Sequence, residues 1–204
     1  MLAILGASGH GKVVADIAEL TSWEKIVFFD DAWPEKTNNG AWKIVGNTQK
    51  LLNNLNDYSG IIVAIGNNKI RQQKIQQLDS AGAKIITLIH PSATVSRYTK
   101  IGLGSVVVAG AVINPDCIIG SGAIINTCSS VGHDCTLGDA VHVCPGARLA
   151  GGSEVNDRAW IGVGSSVRQL IRIGSDAIVG AGAAVVQDVL PNITVVGVPA
   201  RPKP

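Results

Sequence analysis

The pair His133-Asp134 has the residue types and spacing best suited to chemistry in this chain. A neutral imidazole titrating near ~6.5 accepts a proton at physiological pH. A neighbouring carboxylate fixes the ring tautomer and raises its basicity, as the third member of a catalytic triad does. Taken alone, the pair reads equally as two polar surface residues, so the elements that carry it must decide. Asn126 and His142 flank it in the same stretch, "INTCSSVGHDCTLGDAVHVCPGA". A second set lies near the N-terminus: Ser8-Gly9-His10, Asp30-Asp31 and Gly66-Asn67-Asn68. An acidic pair suits hydroxyls, an amine or a uracil N–H, and it repels phosphate. A helix opening at the glycine turn holds phosphate through its free N–H groups. The glycines read Gly6, Gly9, Gly11, which is not G-x-G-x-x-G, so no dinucleotide fingerprint is claimed.

The first set sits inside a repeat. Read in sixes from Ile89 to Val185, all 17 hexads open with Ile, Val or Leu. The fifth position is restricted too, as at Ala93, Ser105, Cys117, Cys135, Ala147, Ser165 and Ala177. Gly, Asn, Asp and Pro gather at the second to fourth positions. A six-residue period fits neither a helix nor one long strand; it marks a parallel β-helix whose short strands meet at corners. Three hexads per coil predict roughly five to six coils stacked at about 4.8 Å. His133 is third in its hexad, at a turn, and His142 is sixth, facing outward from a strand. Both histidines are therefore expected on the outside of the prism. The unbroken phase leaves no long inserted loop over them, so a neighbouring subunit must supply the other wall of a cleft.

The second set sits in a strand-and-helix region. Leu2–Leu5, Ile26–Phe29, Ile61–Ile65 and Ile85–Ile89 read as strands, and Trp42–Val45 as a small one. Helices are expected after the glycine turn, from a Thr48 cap through Leu55, and over Lys69–Ser80 with Ile70, Ile75 and Leu78 near one face. Gly82 is placed to end the last. Alternating strands and helices predict an α/β, Rossmann-like sheet whose ligands gather at the carboxyl ends of strands. All three N-terminal candidate groups fall at such ends. The expected division is a Rossmann-like domain over 1–88 and a β-helix over 89–204.

With 46% hydrophobic and 16% charged residues, the chain suits a strand-rich core rather than disorder. A formal charge of +2 argues neither for nucleic acid nor for a membrane surface. No apolar run reaches the ~18 residues of a span, and the N-terminus lacks a basic flank and cleavage site, so a cytoplasmic protein is expected. Cys117, Cys128, Cys135 and Cys144 form no CxxC pair and read as core or corner residues. A zinc site on the repeat needs three histidines, and only His133 and His142 lie in it beyond its first hexad. No metal is expected.

The repeat resembles the hexapeptide-repeat acyltransferases, which implies that the β-helix is left-handed, against the general rule for parallel crossovers. The segments "GASGHGKVV", "FFDD", "AIGNNKIR", "LIHPSA", "NTCSSVGHDC", "VHVCPGA" and "VVGVPA" extend the likeness over nearly the whole chain. They are similar to bacterial UDP-amino-sugar N-acetyltransferases of the bacillosamine pathway and to the related sialic acid O-acetyltransferases. The resemblance implies that His133 is the general base and Asp134 its acidic partner, where close relatives often carry Glu. It implies acetyl-CoA contacts at His142 and at the backbone of Gly151, Val163 and Ala181. It implies a nucleotide-sugar site at Ser8, Gly9, His10, Asp30, Asp31 and Gly66, with Asn126 in the active-site cleft. The implied assembly is a homotrimer with acetyl-CoA between neighbours. Outward apolar residues Val106, Val108, Val112, Ile118, Ile124 and Trp160 fit such packing. The implied reaction is acetyl transfer from acetyl-CoA to the 4-amino group of a UDP-linked sugar. Sugar O-acetylation is the first alternative and a non-catalytic nucleotide-sugar sensor the second.

Overall fold

The hexad phase converts directly into strands. The computed structural model describes residues 1–203, in two compact units, Met1–Pro91 and Ser92–Pro204. In the second unit each strand of the repeat is two residues long, from Thr94–Val95 to Ala184–Val185. Each joins the sixth residue of one hexad to the first of the next. Residues one coil apart pair in parallel, as Val112 does with Ser130 and Ile113 with Val131. Every third strand falls in the same sheet, which makes three parallel sheets around one axis.

From Val107 to Val185 every first position is at most 3% exposed. Each such aliphatic gains about 1.5–3 kcal/mol from burial, so the prism is held by repetition of one contact. Fifth positions are buried beside them, including Ser105, Cys117, Cys135, Ala147 and Ala177. Ile89, which opens the series, departs from the pattern at 38% exposed. The corners have a common form. From Gly104 to Gly182 the fourth residue of every hexad has positive φ. The fifth residue's N–H bonds back to the second residue's carbonyl, as Ala111 N does to Val108 O at 3.1 Å. This is the type II turn, whose third residue must be left-handed. Asp134, at φ +57°, is one of these residues. Asp tolerates that region because its short side chain bonds locally.

The cysteines are core residues where the pattern puts them. Burial pushes the Cys135 thiol up to about 11 and the Cys144 thiol up to about 12, which keeps both protonated. Cys144 opens a corner, its carbonyl accepting Ala147 N at 3.0 Å, and is nonetheless buried, while Cys128 is exposed.

The first unit is built on a five-stranded sheet. Its elements are β1 (Leu2–Leu5), α1 (Gly9–Leu20), β2 (Ile26–Phe29), β3 (Asn38–Asn39), β4 (Trp42–Gly46), α2 (Thr48–Leu52), β5 (Gly60–Val63) and α3 (Asn68–Ser80). The order is β3-β4-β2-β1-β5, parallel except between β3 and β4. Ala3, Leu5, Phe29, Ile61, Val63, Ile75 and Leu78 form its core. Three expectations fail locally. Residues 85–89 are not one strand: Ile61 N–Lys84 O at 2.9 Å and Ile86 N–Ile61 O at 3.0 Å make a single bridge to β5, and only Leu88–Ile89 forms a strand of its own. The cap of α2 is Asn47, whose side chain accepts from Lys50 N, and α2 stops at Leu52. Ile70 is 43% exposed rather than packed with Ile75 and Leu78.

Candidate active site

His133 and Asp134 occupy the third and fourth positions of one corner, where the turn projects both side chains outward. His133 Nδ1 and Asp134 Oδ2 are 2.6 Å apart, with side chains 71% and 65% exposed. The Asp side chain, one methylene shorter than Glu, thus reaches the ring. With a carboxylate on Nδ1, the proton of the neutral ring belongs there and Nε2 presents its lone pair. Backbone bonds to the adjacent coils pin the corner, from Asp134 N to Pro115 O at 3.1 Å and from Gly152 N to His133 O at 2.8 Å. Gly151 lies directly against the imidazole. A Cβ there would fall 2.6 Å from both His133 Cε1 and Nε2.

His142 corrects the expectation of an exposed ring. It points away from the prism axis yet is only 7% exposed. Its ring packs edge-on against Trp160, 4.4 Å between centroids. Nε2 lies 3.0 Å from Asn126 Nδ2. Asn126 Oδ1 accepts the Thr127 N–H at 2.8 Å, which orients the amide so that Nδ2 donates to His142. The neutral ring therefore carries its proton on Nδ1. Asn126 is thus joined to His142, not to His133. Val106 and Ile124, on the same sheet, are also covered, at 1% and 0% exposed. They are not free for a partner, whereas Ile118 is 53% exposed.

The topology separates these groups. His133 and Gly151 lie on the edge between the sheet of Ser130–Val131 and the sheet of Thr136–Leu137. His142–Val143 belongs to the third sheet, which faces that edge across the prism. Val163 and Ala181 stack on a different edge, one bordering the His142 sheet, where Gly182 N bonds to Val163 O at 2.8 Å. Val163 and Ala181 are exposed. One chain therefore brings together His133, Asp134 and Gly151, joins Asn126 to His142, and stacks the corners of Val163 and Ala181 on successive coils.

In the first unit a cavity of about 240 Å³ is lined by Gly6, Ser8, Asp30, Asp31, Ile70 and Lys74, among others. Asp30 fastens the glycine turn through Ala7 N at 2.7 Å and accepts Ala32 N at 3.0 Å. Asp31 accepts Thr48 N at 2.8 Å and Lys74 Nζ at 2.9 Å. Burial pushes its carboxyl up, but the Thr48 hydroxyl and amide and Lys74 outweigh it and hold the group below the ordinary value. The Lys36 ammonium donates to Ala7 O. Gly11 is required by close packing, since a Cβ would fall 2.4 Å from Gly6 O. Gly9 and Gly66 instead face open space and have no such internal reason. They leave room for a ligand to approach backbone. Behind them lies Arg71, 1% exposed, donating to Ile65 O, Gly66 O and Asn68 Oδ1. His10 is half-buried, its Nε2 covered and bonded to nothing among the described residues. Burial, aided by the Arg71 charge, pushes it down to about 4, so it is neutral at pH 7. Sequence reasoning missed Lys36, Lys74 and Arg71. Lys74 follows Ile70 by one helical turn, the only periodic signal pointing to it.

Residues 1–78 match the model of the PglD N-terminal domain. Over 98% of its length the chain is 34% identical to GDP-perosamine N-acetyltransferase from Escherichia coli O157:H7, covering 95% of that protein. The chain belongs to the PglD-type sugar N-acetyltransferases. It is 37% identical to UDP-N-acetylbacillosamine N-acetyltransferase from Bacillus subtilis, over 53% of this chain and 51% of that one. The acetyltransferase domain of PglB from Neisseria gonorrhoeae, solved with acetyl coenzyme A, superposes with a TM-score of 0.94. The two are 42% identical over 99% and 98% of their lengths. This PglD-type chain is an acetyl-CoA-dependent sugar N-acetyltransferase, and its repeat is the left-handed β-helix of hexapeptide acetyltransferases. Among the described residues no helix is long and apolar enough to cross a membrane.

Proposed function

We propose that this chain transfers acetyl from acetyl-CoA to the 4-amino group of a UDP-linked amino-deoxy sugar, supplying precursors for glycan synthesis in the cytoplasm. The observation that carries the reading is the 2.6 Å His133–Asp134 contact on an open corner. His133 Nε2 takes the amine proton as the amine nitrogen forms its bond to the thioester carbonyl carbon. The C–S bond then breaks, and the proton passes to the departing thiolate. The other ring proton stays on Nδ1, donated to the Asp134 carboxylate, which stabilises the imidazolium while it exists. The Gly151 N–H lies between two amides spent on backbone, Ala150 N on Val167 O and Gly152 N on His133 O. With the Gly151 α-carbon against the ring, this N–H is the donor assigned to the carbonyl oxygen as negative charge develops there.

The first unit holds the nucleotide sugar at Ser8, Gly9, His10, Asp30, Asp31 and Gly66, with Lys36 and Lys74 as the cations beside it. The second holds acetyl-CoA against Val163 and Ala181, where Asn126 and His142 shape the adjoining wall. The active form is a homotrimer. A cleft bounded by His133 on one side and Ala181 on the other takes edges from two copies, because in one copy those residues lie on different edges of the prism. A second reading, a GDP-linked acceptor, is favoured by the full-length relative that is named for GDP-perosamine. A carboxylate also suits the adjacent N–H groups of guanine.

The deciding experiment measures thiol release from acetyl-CoA with UDP- and GDP-linked 4-amino sugars, for the natural chain and for His133→Ala. Turnover with the UDP sugar, lost in His133→Ala, is the expected result. Turnover with the GDP sugar alone selects the second reading. Near-normal turnover in His133→Ala removes the base assignment.

A further inference from the structure

We infer that Gly151 is a positioning residue for His133: its bare α-carbon is the floor on which the imidazole rests, and any side chain there displaces the base. The inference rests on His133 being the base. Glycine at 151 is not demanded by backbone conformation. The neighbouring Gly152 has φ +68°, but Gly151 is not among the positive-φ residues. Nor is it demanded by stacking of coils. A Cβ on Gly132 or Gly162 would strike backbone of the next coil, whereas the atoms nearest a Cβ on Gly151 are all in the His133 ring. They are Cε1 at 2.6 Å, Nε2 at 2.6 Å and Cδ2 at 3.1 Å. The ring therefore lies with its Nε2 edge over Gly151 and turns Nδ1 to Asp134. This one contact fixes the proton acceptor relative to the Gly151 amide. The ring is exposed and has room to swing out, so an added methyl shifts the imidazole rather than the coil. That shift breaks its alignment with Asp134.

The test is a double-mutant cycle between Gly151→Ala and His133→Ala, read as kcat for acetyl transfer. In the His133-containing chain, Gly151→Ala is expected to lower kcat roughly 30-fold or more, approaching the ~10²- to 10⁴-fold that a general base contributes. It keeps the amide N–H. In the His133→Ala background, where there is no ring to displace, the same change is expected to cost at least about tenfold less than in the His133-containing chain, whatever smaller effect the methyl has at the Gly151 amide itself. The ¹⁵N signals of the His133 imidazole should lose the hydrogen-bonded Nδ1–H state in Gly151→Ala while the Asp134 and Gly152 amides keep their hydrogen-bonded signals, which general loosening of the corner would also shift. Equal rate losses in both backgrounds, or an unchanged kcat in the single variant, overturn the inference and leave the base assignment intact. Should Gly151→Ala fail to fold, folding of the double variant supports the ring contact and its failure overturns it. Full turnover in His133→Ala alone is a different outcome, because it removes the base itself.

Discussion

Replacing Asp134 by Asn keeps the shape of the corner and removes only the charge. Asn tolerates φ +57° as readily as Asp, so the turn survives. The amide can still meet His133 Nδ1 but cannot stabilise an imidazolium as a carboxylate does. The size of the loss follows from the geometry. With charge centres roughly 4 Å apart, the attraction is ~1 kcal/mol in water and ~4 kcal/mol at an effective dielectric of 20. Exposures of 71% and 65% keep the pair near the lower figure. The developing cation should then lose ~1–2 kcal/mol of stabilisation, a fall of ~5- to 30-fold in kcat. That is well short of the ~10²- to 10⁴-fold expected for removing the base itself. Thiol release at saturating acetyl-CoA and amino sugar measures both variants. An Asp134→Asn kcat within twofold of the natural chain would mean that the 2.6 Å contact plays no part in the reaction. A loss equal to that of His133→Ala would mean that Asp134 is itself indispensable and the exposed-pair electrostatics are wrong.

His10 makes acid stability testable. Its folded-state pKa of about 4 lies below the ordinary 6.5, so the neutral ring contributes stability that is complete above pH 6.5 and is lost as pH falls towards 4. The full loss is about 3 kcal/mol at 1.36 kcal/mol per unit, and His10→Gln should lack it. Denaturant midpoints that fall in parallel for both chains between pH 7 and 4 would refute the burial argument. The trimer reading predicts complementation. Ala181→Trp fills the space beside one edge and His133→Ala empties the other, so each is expected to be inactive alone. Co-refolded equal mixtures should regain about one quarter of the natural rate, because each cleft draws one edge from each of two neighbours. Mixtures with no activity would place both edges' functions within one copy.

What was legible in the sequence tracks how far each feature depends on neighbours along the chain. The repeat was fully legible, because the same inward contact recurs in every coil and no distant event alters it. His133 could be assigned to a corner for the same reason. His142 shows where the phase runs out. Phase gives the direction of a side chain from the prism axis, not what lies over it, and Trp160 and Asn126 cover this ring. Gly151 follows His133 by one coil, so a glycine beneath the histidine was available to sequence reading. Its meaning needed the ring's orientation. In the α/β unit the strand ends were legible as a group. Lys74 and Arg71 were not, because whether a helical cation reaches a strand end depends on how α3 lies across the sheet. The run 85–89 read as one strand but gives a single bridge at Ile85 and a separate strand at Leu88–Ile89, a break that hydrophobicity does not encode.

The prism also limits where chemistry can sit. Its interior is filled by first- and fifth-position side chains, so no ligand enters it. Its sheets present only one outward residue per strand, too few to enclose a small molecule. Corners alone project side chains away from the stack, and the left-handed fourth position turns Asp134 back on His133 there. A convex edge can present a base but cannot surround a substrate. On the trimer reading, the acyl donor lies in a valley made when a second convex body meets the edge. The coil repeat keeps that valley straight, which suits a long, extended thioester better than a compact ligand. On this argument the site's incompleteness in one chain is a property of the repeat. Lengthening or shortening the β-helix by a coil would change the reach of the valley without disturbing the His133 corner.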